Sequence, residues 1–102
     1  MNINDILKQA RQFQERLGSL QEELASRTVT GTAGGGMVRV TVNGNGELVG
    51  IAIEPEIVSS ADVAMLQDLV LAAVNDGIRK AKELARSEMA GLTGGINIPG
   101  MI

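Results

Sequence analysis

This sequence predicts an α+β fold with a long N-terminal helix, a three-stranded antiparallel sheet and a long C-terminal helix. Three observations predict it. Apolar residues recur at alternating three- and four-residue spacing over the first quarter of the chain. Period-two alternation takes over in the middle, on both sides of an Asn-Gly turn signal. Helical spacing then returns for the last third and gives way to a Gly-rich tail.

The first helix is expected from about Asn4 to Ser26, with Asn2 or Asn4 as its N-cap. Ile3, Ile6, Ala10, Phe13, Leu17, Leu20 and Leu24 form a heptad seam. The pattern leaves open whether the seam's partner lies in the same chain or another. TVTGT at 28–32 predicts a first strand, and AGGG at 33–36 a turn. Val38, Val40 and Val42 alternate with Arg39 and Thr41 in a second strand; Val49, Ile51 and Ile53 alternate in a third. NGNG at 43–46 joins these two as a hairpin, and Pro55 ends the third because it has no N–H for a ladder. The last helix is expected to start at Ser59 or Ser60, where Ser59 and Asp62 have capping-box spacing, and to run to about Ala90. Val63, Leu66, Val70, Ala73, Gly77, Ala81 and Leu84 mark one face, and Leu69, Val74, Ile78 and Ala85 widen it. A helix that apolar is expected to be covered on more than one side. Residues 1–91 thus form a single domain, and the Gly-rich tail 92–102 is expected to be flexible.

Composition narrows the function. The chain has 102 residues, with no Cys and no His, so a disulfide framework, the commonest metal ligands and the usual general base are all missing. Ser59 and Ser60 have no activating partner, which argues against an enzyme and against a metal or other cofactor. Phe13 is the lone aromatic, which argues strongly against base-stacking RNA modules. GTAGGG at 31–36 lacks the Lys-Ser/Thr of a phosphate loop, and NGNGELVG lacks its third glycine. No secretory leader or membrane span is evident, so a cytoplasmic protein with no membrane partner and no small-molecule substrate is expected.

Charge is distributed unevenly. A ~30-residue helix is ~45 Å long against ~23 Å for a seven-residue strand, so the last helix must overhang the sheet. The free, antiparallel arms are expected near residues 3–18 and 77–92. Those arms carry net charges of +1 and +2, whereas residues 19–76 carry −6. Asn75, Arg79, Lys82 and Arg86 form one polar stripe, suited either to phosphate binding or to compensation of the helix dipole. Lys8 and Arg11 are spaced three apart on the first helix, flanked by Asp5 and Glu15, and fit a solvated face as well as a binding one.

Four segments in register resemble the YbaB/EbfC family of bacterial nucleoid-associated proteins. They are LKQARQFQERLGSLQEELA at 7–25, TGTAGGGMVRVTVNGNGELVGIAIEPEI at 30–57, MLQDLVLAAVNDGIRKAKE at 65–83 and GGINIPGM at 94–101. Where that family is rich in Met on its first helix, this chain carries Phe13 and Leu residues. The resemblance implies a tweezer-like homodimer whose helical arms bind double-stranded DNA with little sequence preference. It also implies a place in the nucleoid, where such proteins organise DNA or influence gene expression, with neither catalysis nor cofactor. Carried onto this chain, the DNA-contacting arm cations are Lys8, Arg11, Arg79, Lys82 and Arg86. The rival expectation is a dimeric scaffold whose arms clasp another protein and have no direct role on DNA.

Overall fold

The computed structural model describes residues 2–93, an elongated body of 70 × 25 × 16 Å. Helix α1 spans Ile3–Ser26, and Asn2 is its cap, accepting a hydrogen bond from the Asp5 amide at 2.9 Å. The chain runs straight into β1 (Thr28–Ala33), then β2 (Val38–Asn43) and β3 (Leu48–Ile53). The sheet order is β1-β2-β3, antiparallel throughout. Gly34, Gly35 and Gly36 all take positive φ in the β1–β2 turn, a conformation that explains why glycine fills all three positions. In the β2–β3 hairpin, the buried Asn43 side chain accepts from the Asn45 and Glu47 amides, so this buried polar group is satisfied.

A short 3-10 turn at Pro55–Ile57 precedes helix α2, which spans Val63–Thr93. Its start differs from expectation. Asp62 is the cap, accepting from the Met65 amide at 3.1 Å, while Ser59 turns the chain before it by accepting from Ala61. The two residues act in series rather than as a reciprocal box. At the other end, α2 continues through Leu92 to Thr93, past its expected end near Ala90. The rest of the expected tail lies outside the described residues.

The third strand also departs from its expected parity. Thr41 stands opposite Gly50 but Val42 stands opposite Leu48, so a bulge skips Val49. Leu48, Ile51 and Ile53 therefore share the face of Val42, Val40 and Val38, and Val49 loses its place there.

Val38, Val40 and Val42 are almost fully buried beneath α2, together with Ala73, Ala81 and Ile57. Gly31 in β1 and Gly77 in α2 let the two backbones meet without an intervening side chain. The sheet thus lies under the helix as far as Ala81, so the overhang of α2 begins later than the expected residue 77. Leu20 and Leu24 anchor α1 to the body, and the last turns of α2 at Glu88, Gly91 and Leu92 flank a cleft along Gln12–Glu23 of α1.

Two apolar surfaces stay open in the single chain. Ile3 and Ile6 of the α1 seam, and Leu7 beside them, are exposed. So is a face made by β3 and one side of α2. Because α2 packs chiefly on β1 and β2, Leu48 and Ile51 remain about half exposed and Leu71 is 61% exposed. Ile53, Leu66, Val70, Leu71 and Val74 line an apolar hollow there. Leu69, Val74, Ile78 and Ala85, expected to widen the covered face of α2, are half-buried in the single chain, while Leu71 is exposed.

Candidate nucleic-acid interface

The amphipathic pattern of α2 places its cations. At 3.6 residues per turn, Asn75, Arg79, Lys82 and Arg86 lie on the side opposite Ala73, Gly77 and Ala81, the buried residues of this helix. All four are exposed. On α1, Lys8 and Arg11 lie away from Leu20 and Leu24 and are exposed as well. The expected cations therefore occupy solvent-facing sides of both helices, and none is used in the core.

Pairing divides them. Lys8, Arg11, Lys82 and Arg86 make no ion pair among the described residues, and neither does Arg16. Arg16 lines the cleft between α1 and the end of α2. The stripe spacing did not single it out, because it lies on the seam side of α1. The other cations are engaged. Arg27 pairs with Glu88, tying the start of β1 to the overhang of α2. Arg39 pairs with Glu54 across the sheet.

Arg79 is the expected site residue that is not free. One guanidinium nitrogen meets Asp76 at 2.9 Å and another meets Glu83 at 2.9 Å. Asp76 also takes Lys80 at 3.1 Å and accepts from the Thr32 amide of β1 at 3.0 Å. The Thr32 hydrogen bond is the foremost reason that the Asp76 carboxyl drops from 3.8 to about 2, with Arg79 and Lys80 adding to it. The bond from Asp76, then the field of Glu83, raises the pKa of Arg79 further above its ordinary value. Two of these contacts were legible: Asp76 and Glu83 stand three before and four after Arg79, the spacings that meet on a helix. The Thr32 contact, 44 residues away, was not.

Unpaired cations on an exposed helix face are chemically suited to attract anionic groups such as phosphates. Among the described residues, no three carboxylates converge to hold a metal ion, and no helix is long and apolar enough to cross a membrane.

The chain resembles known proteins over nearly its whole length. The profile of the YbaB/EbfC DNA-binding family matches residues 1–96. A nucleoid-associated protein of Caldanaerobacter subterraneus is 57% identical, over 98% of this chain and 90% of the relative. One from Desulfotalea psychrophila is 50% identical, over 97% of this chain and 93% of the relative. The crystal structure of an uncharacterized protein from Helicobacter pylori superposes with a TM-score of 0.79 at 28% identity, covering 93% of this chain and 99% of that one.

Proposed function

This chain belongs to the YbaB/EbfC DNA-binding family, and from that premise we propose that it is a homodimeric nucleoid-associated protein of the cytoplasm. It grips double-stranded DNA by the phosphates and has little preference for sequence. The observation that carries this reading is the set of unpaired cations, Lys82 and Arg86 on the back of α2 and Lys8 and Arg11 on α1. Unpaired cations release counterions from DNA when they bind, whereas cations already neutralised by carboxylates add little. Arg79 is the weakest member of the set for that reason.

The apolar face of β3 and α2 supports the dimer. Leu48, Ile51 and Leu71 lie on one continuous side with the hollow at Ile53, Val70 and Val74, a grouping that soluble monomers seldom leave in water. A two-fold axis through that face would double the cations available to one duplex.

Fluorescence anisotropy with duplexes of unrelated sequence tests the DNA reading. Arg86→Ala should weaken binding equally on every duplex and flatten the log–log salt slope by ~0.9 for each phosphate no longer neutralised. Arg39→Ala, paired with Glu54 on the sheet, should do less. If Arg86 only offsets the helix dipole, its removal lowers the melting temperature and leaves DNA binding intact. If Arg86→Ala and Arg11→Ala both bind like wild type across salt, the arms are not the contact surface. Absence of any shift with arbitrary DNA at physiological salt would favour the scaffold reading.

A further inference from the structure

We infer that Asp76 and Glu83 restrain Arg79 and Lys80 from DNA phosphates, and that this pair of carboxylates sets how tightly the protein grips DNA. This inference rests on the DNA reading above and adds affinity-setting acids to it. Arg79 offers a planar fork, the geometry that takes a phosphate through two parallel hydrogen bonds. Here two nitrogens of the fork are already taken, one by each carboxylate, both at 2.9 Å. Lys80 is likewise held, by Asp76 at 3.1 Å and by the Thr30 carbonyl at 3.0 Å. The group of four side chains is electrically neutral, one turn away from Lys82 and Arg86, which carry uncompensated charge.

The two acids are not equivalent. Asp76 is pinned from the sheet side by the Thr32 amide and is only 24% exposed, so it cannot follow the guanidinium outward. Glu83 is 59% exposed and, among the described residues, is held through Arg79 alone. A phosphate approaching Arg79 must therefore displace Glu83 or share the fork with it. Exposed ion pairs in water are weak, so the restraint lowers affinity without abolishing the contact. A protein that must release DNA readily gains from such moderation.

The test is a double-mutant cycle on the full chain, reading salt-dependent affinity for one arbitrary duplex. Glu83→Gln should bind more tightly and steepen the log–log salt slope by ~0.9 for each additional phosphate neutralised, about a 3.5-fold larger fall in affinity over a fourfold rise in salt. Asp76→Asn, which keeps an oxygen for the Thr32 amide, should act in the same direction. In an Arg79→Ala background, Glu83→Gln should leave the slope where it was. An unchanged slope for Glu83→Gln in the wild-type background overturns the inference. So does an equal steepening in the Arg79→Ala background, because it would trace the effect to general loss of negative charge. Arg86→Ala on the same duplex separates the two levels. If it and Arg11→Ala both bind like wild type, the reading of the arms as the DNA contact fails; if Arg86→Ala weakens binding while Glu83→Gln changes nothing, only the restraint fails.

Discussion

Placing a methyl group on Gly31 tests the account of how the C-terminal helix is seated. A Cβ there would lie 2.3 Å from the Ala73 carbonyl oxygen, 2.3 Å from the Gly77 nitrogen and 2.6 Å from the Gly77 Cα. All three are backbone atoms, so no side chain can rotate aside. To restore an ordinary 3.4 Å contact, α2 must lift by about 1 Å along its central turns. That gap forfeits a quarter to a half of the dispersion energy across Val38, Val40, Val42 and Ala73, which are now 0–1% exposed. Overpacking alone costs about 1–3 kcal/mol, so Gly31→Ala should lose about 3 kcal/mol or more, or roughly 12–24 °C in melting temperature. Gly77→Ala should cost less. Its Cβ is crowded by the Val42 and Val40 methyls, at 2.7 and 2.9 Å, but meets the Gly31 Cα at an ordinary 3.6 Å, and alanine returns ~1 kcal/mol of helix propensity. Gly18→Ala has nothing within 4 Å and should stabilise by up to ~1 kcal/mol. Thermal melts followed by circular dichroism, at fixed protein concentration, give the order. A Gly31→Ala protein that melts with wild type would refute the backbone-to-backbone seating of α2 on β1.

Two further outcomes follow from the same structure. The Asp76 carboxyl is lowered from 3.8 to about 2 on folding, so its contribution is present above pH 3.8 and fades as the pH falls toward 2. Melting temperatures of wild type and Asp76→Asn should therefore differ at pH 5 and converge at pH 2; a constant gap across that range would mean that ionisation of Asp76 does not stabilise the fold. Leu71→Asp puts a charge on the open apolar face at a position 61% exposed in the single chain, so folding should survive while the proposed dimer is lost. Light scattering should then move toward 10.7 kDa, and a variant that keeps the wild-type mass would exclude that face as the interface.

The identities of the elements were legible in the sequence because helical and strand periods are local properties. The seam of α1, an Asn cap at position 2 or 4, the Val38–Val42 alternation and the NGNG hairpin each depend on residues within a turn or two of one another. The exposed stripe of Asn75, Arg79, Lys82 and Arg86 was legible for the same reason. Partnership was not. The bulge at Val49 moves Leu48 onto the inner face, a change of parity that only the paired strand reveals. The close approach of Gly31 and Gly77 sets where α2 lies on the sheet, and so places Gly77 and Ala81 in the core rather than on an arm. Of the five expected cations, the structure leaves Lys8, Arg11, Lys82 and Arg86 unpaired among the described residues and engages Arg79. Intrahelical spacing brings Asp76 and Glu83 to Arg79, but the Thr32 amide that pins Asp76 comes from a strand 44 residues away. Periodicity records which face of a segment turns inward; the residue that meets it there depends on contacts between segments distant in the chain, and those exist only once the chain has folded.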